Sequence, residues 1–367
     1  MNSEIFYRIA LRHVEGVGPA TQKKMLLLSG SATAMFEEQE RWLSKIARKG
    51  KSLPRLVISD EVRRAVDKEL NLMARNDIGL SFFLDKDYPF RLKSCSDAPL
   101  SFFYKGEPDF NRPHVLAIVG TRNSSEYGRG CVRKILSELQ GFDLVTVSGL
   151  AYGIDTEAHS RSLEYGIKTM AIMGCGLGTV YPRLNTPLAN QILEQGGALI
   201  SEYDYGTAPD RQNFPRRNRI VAGMADAVLV AESAAKGGSM ITAYIAQSYN
   251  RDVFAFPGPI FDDNHVGCHD LVRKNVAALV TSGQELVEMM NWESQPAKVI
   301  QTSLFVDLSD AEKQVVEIIR ASREVPIDVI SESLPNFSPS KLAGLLLGLE
   351  LKGVVVCRPG KVYALNP

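Results

Sequence analysis

From Ile78 to Trp292 the chain alternates short, continuously apolar runs with longer segments of helical periodicity. The runs are LAIVG, LVTVSG, TMAIMG, ALISE, AVLVAE, VFAFPG and ALVTS, most of them ending in Gly, Ser or Glu. Helix-length stretches such as YGRGCVRKILSELQ and SMITAYIAQSYN stand between them. Strands that are apolar on both sides and separated by helices predict a parallel sheet covered on both faces, a doubly wound α/β domain over 78–292. Up to about Asp77 the pattern is helical, broken by short polar pieces such as RKGKSLPR, and predicts a small helical domain over 1–77. QPAKVIQTSLF is polar, carries Pro296 and predicts a linker over 293–307. Beyond it SDAEKQVVEIIR opens with Ser309 and places Glu312 three residues later, a capping box that starts a helix. PIDVISESL and SPSKLAGLLLGLELKG are helical, and VVVCRPGKVYAL reads as two strands around a Pro-Gly turn. Three helices and a hairpin predict a winged helix over 308–367.

Composition narrows the chemistry. Lys and Arg total 42 and Asp and Glu total 42, so no global field attracts a polyanion and any anion site must come from local clustering. No cationic segment leads into a long apolar core at the start, and no later window reaches the length of a membrane span, so the expected location is the cytoplasm, without a membrane partner. Cys95, Cys131, Cys175, Cys268 and Cys357 are scattered and never in CxxC spacing, which argues for reduced thiols rather than disulfides or structural zinc.

In open α/β sheets ligands sit beyond the carboxyl ends of the strands. The loops expected there are rich in Gly, Ser and Arg: GTRNSSEYG, SGLAYGID, GCGLGTVYPR and KGGSMIT. Glycine lets a backbone approach an anion, and the first-turn amides of the following helix point at it. Neither GxGxxG nor GxxxxGK[ST] is present, so phosphate is indicated while a soluble nucleotide cofactor and a metal are not. FPRRNRIVAG adds Arg216, Arg217 and Arg219 in a loop feeding a short helix. If they flank the same sheet edge as Gly120, Arg122, Arg183 and Gly238, they offer forked donors to phosphodiester oxygens. The competing arrangement pairs them with Glu202, Asp204 or Asp210.

Other clusters are weaker. Asp155 and His159 stand one helical turn apart but lack a third ligand and a nucleophile, and read as structural. HVGCH looks metal-like, yet has no matching ligand pair and reads as a loop. Gly16-Val17-Gly18 between two helical segments has the helix-hairpin-helix pattern, whose glycine turn offers amides to one phosphate, with Lys23 and Lys24 following. In the C-terminal module Lys341 and Lys352 lie among leucines, too little polarity to read a groove. Arg358 and Lys361 could touch a backbone, and a docking or spacer role is equally open.

The ordered set GTRNSSEYG, VSGLAYGIDTEAH, GCGLGTVYPRLN, LISEY, NFPRRNRIVAG, KGGSMITA and VFAFPG closely resembles the DNA-processing protein family DprA, also called Smf. The likeness is strong from about residue 80 to 290 and rests on architecture alone at the two ends. It implies an extended Rossmann-like fold, with a helical SAM or helix-hairpin-helix-like start and a winged-helix end. It further implies a homodimer that binds single-stranded DNA without catalysis, protects incoming strands and helps load RecA in natural transformation. Carried over, the family's DNA pocket falls on Gly120, Thr121, Arg122, Ser148, Gly149, Arg183, Arg216, Arg217, Asn218, Gly237, Gly238 and Ser239; the phosphate contact at Gly16 and Gly18 rests on the helix-hairpin-helix pattern alone. Thr121 replaces the family's usual Ser, His269 its usual Asn, and Lys274-Asn275 an acidic-glycine step. Stacking of bases would fall to Tyr127, Tyr152, Tyr181 or Phe214. The rival is a Lonely Guy type nucleotide phosphoribohydrolase on a related fold, but GGSMITAYIAQ lacks the Glu that such enzymes carry after their glycine loop.

Overall fold

The computed structural model describes residues 3–14, 16–47, 55–292, 308–322, 324–352, 354–358 and 361–365. The linker expected over 293–307, most of RKGKSLPR and the Pro359-Gly360 turn lie outside the described residues. The chain divides into two compact units, residues 1–295 and 296–367.

The first unit opens with α1 (Ser3–Ala10), α2 (Pro19–Ser29), α3 (Ala32–Glu37), α4 (Gln39–Ala47) and α5 (Asp60–Asn76). Ser31 and Ser59 cap α3 and α5 through hydrogen bonds from Ala34 N and Val62 N. The chain then runs through β1 (Ile78–Phe82), α6 (Phe90–Lys93), β2 (Ser101–Gly106), β3 (His114–Gly120), α7 (Glu126–Glu138), β4 (Leu144–Ser148), α8 (Ile154–Glu164) and β5 (Lys168–Met173). It continues with α9 (Thr186–Glu194), β6 (Ala198–Ser201), α10 (Asn213–Met224), β7 (Ala227–Glu232), α11 (Gly238–Ser248), β8 (Asp252–Ala255), α12 (Val266–Arg273), β9 (Ala278–Leu279) and α13 (Gly283–Met290). No helix among the described residues is long and apolar enough to cross a membrane.

Among the described residues these strands form one sheet in the order β1-β2-β6-β5-β4-β3-β7-β8-β9. The strands from β6 through β3 to β9 are parallel, and β1 and β2 join antiparallel at the β6 edge. The central run is doubly wound as the apolar pattern predicts. Its order reverses between β3 and β7, where one connection leads away through α7 to β4 and another returns through α10. Side chains of β3 alternate between two cores: Val115, Ala117 and Val119 face one, Leu116 and Ile118 the other. β1 and β2 fall outside the expected pattern, because they belong to an antiparallel pair separated by α6 rather than to a strand-helix-strand repeat.

The helices expected as a domain over 1–77 share a core with the sheet expected over 78–292, and both lie in one compact unit. Ile9, Met25, Trp42 and Val66 belong to the same buried cluster as Phe82, Phe102 and Phe103. Arg12 strengthens this junction: its Nε lies 3.0 Å from Asp204 Oδ1, its guanidinium donates to the carbonyls of Ser101 and Glu202, and it stacks 4.7 Å from the Phe103 ring centroid.

The second unit holds α14 (Asp310–Ser322), β10 (Glu324–Pro326), α15 (Ile327–Ser333), α16 (Pro339–Leu351), β11 (Val355–Arg358) and β12 (Val362–Leu365). Its sheet order is β10-β12-β11, so a short strand joins the expected hairpin. The Ser309 and Glu312 capping box forms, with Ser309 N donating to Glu312 Oε2 at 2.8 Å and Glu312 N to Ser309 Oγ at 3.4 Å.

Arg91 holds the two strands at the topological reversal in register. It is 2% exposed, its Nε meets Asp226 Oδ1 at 2.5 Å, and its Nη2 donates to the carbonyls of Arg112 and Pro113. Asp226 Oδ2 accepts Val115 N at 2.8 Å, which joins the starts of β3 and β7. Replacing Arg91 with Met leaves the carboxylate without its cation and is expected to cost about 2–4 kcal/mol. Urea denaturation reads this directly, and an unchanged midpoint would show that the pair contributes nothing net.

Candidate functional site

Because β3 to β9 run parallel, their carboxyl ends share one edge of the sheet, and there a cleft of about 660 Å³ opens. The end of β3 and the loop after it supply Gly120, Thr121 and Arg122, the loop after β4 supplies Ala151, and α8 supplies Asp155. Tyr181 comes from the loop after β5, Arg211, Phe214, Pro215, Arg217 and Asn218 from around the start of α10, and Gly237, Gly238, Ser239, Ile241 and Thr242 from the start of α11.

Arg217 forms the floor. It is 5% exposed, and its Nη2 donates to the Gly149 carbonyl at 2.8 Å. A side chain at position 149 would not fit, since a Cβ there would lie 1.6 Å from Arg217 Nη1. Asp155 faces the guanidinium and accepts the amides of Gly149 at 3.1 Å and Ala151 at 3.3 Å through one oxygen. Burial pushes the Asp155 carboxyl above its usual range, while Arg217 and these hydrogen bonds pull the other way. Burial likewise lowers the Arg217 guanidinium, which Asp155 partly offsets; an arginine nevertheless keeps its charge. Arg217 Nε is buried with no protein partner among the described residues.

Beneath this pair lies His159, fully buried, with Nδ1 2.7 Å from the Thr169 hydroxyl. Burial, with the Arg217 charge adding to it, lowers its pKa to about 3, so the ring is neutral at pH 7. Asp155 and His159 therefore shape the floor, as a structural reading of GIDTEAH expects.

The walls carry aromatic and cationic groups. The Arg122 guanidinium stands 5.4 Å from the Phe214 ring centroid, and the Phe214 and Tyr181 rings are 5.4 Å apart, tilted by 37°. Opposite them α11 starts at Gly238 after Gly237, with no side chain capping its first amides. A backbone-amide terminus, three arginines and exposed ring faces thus meet around one opening. Asp155 is the one carboxylate among the described residues lining it.

Gly120, Thr121, Arg122, Arg217, Asn218, Gly237, Gly238 and Ser239 all line this cleft. Ser148 and Gly149 lie behind it: the Ser148 hydroxyl donates to the Ile118 carbonyl at 2.7 Å, and Gly149 carries the Arg217 contact. Arg183 is exposed in a 3-10 turn and does not line the cleft. FPRRNR does not act as one cluster, because it is not a loop. Residues 213 to 224 are helical, and successive positions turn by about 100°. Arg217 faces the cleft, whereas exposed Arg216 lines a neighbouring cleft of about 420 Å³ with Arg12 and Pro19. Arg219 lines that cleft too and is held by Glu202, with Nη2 2.5 Å from both carboxylate oxygens. For Arg219 the competing carboxylate pairing is the one that forms.

Sequence reasoning missed Arg211, a cation just ahead of α10 whose only signal was its nearness to the arginine run. Of the aromatic candidates, Tyr181 and Phe214 line the cleft, Tyr127 donates to the Pro257 carbonyl, and Tyr152 is exposed elsewhere. Gly16 and Gly18 lie apart from the cleft, at the turn into α2, where Gly18 is the N-cap. Lys23 is turned inward to the Cys95 carbonyl at 3.2 Å. Asn275 adopts φ 55°, a left-handed conformation that asparagine tolerates. His269 Nε2 sits 3.0 Å from the Gly258 carbonyl.

The family model described as DNA recombination-mediator protein A matches residues 79–291. The chain is 44% identical over 204 residues to the DNA processing protein DprA of Streptococcus pneumoniae, covering 56% of this chain and 71% of that protein. It is 36% identical over 277 residues to protein Smf of Escherichia coli, covering 74% of each. Its structure is similar to the X-ray structure of the Streptococcus pneumoniae DNA processing protein A, with a TM-score of 0.57 and 34% identity over 76% of this chain and 99% of that one. A Helicobacter pylori DNA processing protein A, solved to define that protein's single-stranded DNA binding mode, superposes with a TM-score of 0.53 and 26% identity over 59% of this chain and 97% of that one.

The buried imidazole links the site floor to pH. Below pH 6.5 the unfolded chain protonates His159, while the folded protein resists until about pH 3. This contribution to stability is complete above pH 6.5 and declines by about 1.4 kcal/mol for each unit of acidification below it. His159→Gln should abolish the dependence, so the stability difference between the parent and this variant shifts by about 2 kcal/mol between pH 6.5 and 5. Urea denaturation of both proteins at the two pH values measures it; parallel pH profiles would contradict the assignment.

Proposed function

Because the chain belongs to the DNA recombination-mediator protein A family, we propose that it binds single-stranded DNA, independently of sequence, in the cleft floored by Arg217. The observation that carries this reading is the convergence of Arg122, Arg211 and Arg217 with the Phe214 and Tyr181 rings and the uncapped start of α11. Arginine forks and amides neutralise successive phosphates, and ring faces stack on bases whatever their identity. The unpaired strand is favoured over duplex because the stacking surfaces need bases that no complement covers. Counterion release gives the affinity a steep salt dependence.

The finer reading follows the family. The chain acts as a cytoplasmic homodimer, protects strands entering in natural transformation and promotes RecA loading; two clefts on one dimer raise avidity through effective concentration. The helical start serves as a SAM or helix-hairpin-helix-like module, and residues 308–367 as a winged helix. The mechanism is non-catalytic. In support, Asp155, the lone carboxylate lining the cleft among the described residues, is occupied by two loop amides and lies near Arg217, a poor arrangement for the acid that glycosidic cleavage needs.

Gel-shift competition between single-stranded and duplex oligonucleotides of equal length tests the central statement, with the single strand expected to compete better. Arg122→Ala and Arg217→Ala should each weaken binding to all sequences and reduce the slope of log affinity against log salt by about one unit. Unchanged affinity and slope in both variants, with circular dichroism intact, would remove the cleft from the account. Release of free base from adenosine monophosphate would instead favour the phosphoribohydrolase reading.

A further inference from the structure

Behind the loop that carries Thr121 and Arg122 lies a second polar cluster outside the cleft lining. Glu232 ends β7 and is fully buried; its backbone carbonyl accepts Thr121 N at 2.8 Å, and its Oε2 accepts Ser125 N at 2.9 Å. Gly128 leaves room for this carboxylate, since a Cβ there would lie 2.2 Å from Oε2. The other oxygen, Oε1, is buried without a hydrogen-bond partner among the described residues. His265 is also fully buried, with Nε2 equally unpartnered and Nδ1 3.1 Å from Asp262 Oδ2. One donor atom each from Glu232, Asp262 and His265 lies within 4.8 Å of the other two.

We propose that Glu232, Asp262 and His265 bind a divalent transition-metal ion of the Zn²⁺ or Mn²⁺ class. Leaving a buried carboxylate oxygen and an imidazole nitrogen unsatisfied is costly, and a shared cation compensates the carboxylate charge. The 3.1 Å between His265 Nδ1 and Asp262 Oδ2 suits either a hydrogen bond or two neighbouring ligands on one ion. An imidazole with two carboxylates matches Zn²⁺ or Mn²⁺, whereas Mg²⁺ and Ca²⁺ favour all-oxygen sets. Asp262, 36% exposed by side chain, provides the route of entry. HVGCH alone hides the site: His269 turns to the Gly258 carbonyl, and the acidic partners come from β7 and from the turn before His265. The ion would brace the loop after β3, because Glu232 holds both Thr121 N and Ser125 N.

The test uses the full chain, stripped with EDTA and dialysed, then titrated calorimetrically with Zn²⁺ and separately with Mn²⁺ while the thermal midpoint is followed. One ion per chain and a raised midpoint are expected with at least one of the two metals. Asp262→Asn, which keeps a side-chain oxygen for the amide of Asn264, should weaken binding about tenfold or more, and His265→Gln should abolish it. If His265→Gln does not fold, Asp262→Asn decides alone. No uptake of either ion by the parent chain, or equal affinity and stoichiometry in Asp262→Asn, overturns the proposal.

Discussion

The site is organised by one constraint: a guanidinium taken out of water needs groups near it that accept its hydrogen bonds or balance its charge. Arg217 meets this with the Gly149 carbonyl and the Asp155 carboxylate. Asp155 in turn holds the amides of Gly149 and Ala151, so the loop after β4, the start of α8 and the middle of α10 are fastened to the same charge. Position 149 must be glycine for the guanidinium to come so near the backbone. His159 below stays neutral chiefly because it is fully buried, and the nearby Arg217 charge adds to that.

The sheet determines where that constraint becomes useful. With all central strands parallel and their order reversing between β3 and β7, loops on either side of the reversal part and leave a crevice at the carboxyl ends. The Arg91 and Asp226 pair secures the same two strands at the opposite ends. The Arg91 and Asp226 pair thus fixes strand register, while Arg217 places a positive charge at the floor of the cleft. Among the described residues each arginine keeps one buried nitrogen without a partner, Arg91 Nη1 and Arg217 Nε; the difference is place, since Arg91 donates to two further carbonyls away from the cleft whereas Arg217 lines it.

Much of this was legible in the sequence because each central strand is a continuous apolar run ending in a turn residue, and the glycine-rich loops follow those runs. Periodicity did not reveal β1 and β2, an antiparallel pair interrupted by α6, or the three-residue β10. Nor did it show that the N-terminal helices share the core of the sheet, an apolar cluster that Arg12 reinforces by reaching Ser101, Glu202 and Asp204. The arginine run was visible, but its division was not. Once FPRRNR is helical, neighbouring arginines point to different clefts, and Arg219 finds Glu202. Arg211 and the grouping of Glu232 with Asp262 and His265 exist only in three dimensions.

The account stands on an unpaired strand lying along the ring faces above Arg217. Photo-crosslinking of oligonucleotides carrying 5-iodouridine at successive positions, followed by peptide mapping, examines this contact most directly. The expected adducts fall on Tyr181 and Phe214. Adducts confined to residues 308–365 or to the N-terminal helices, with these two rings untouched, would contradict it.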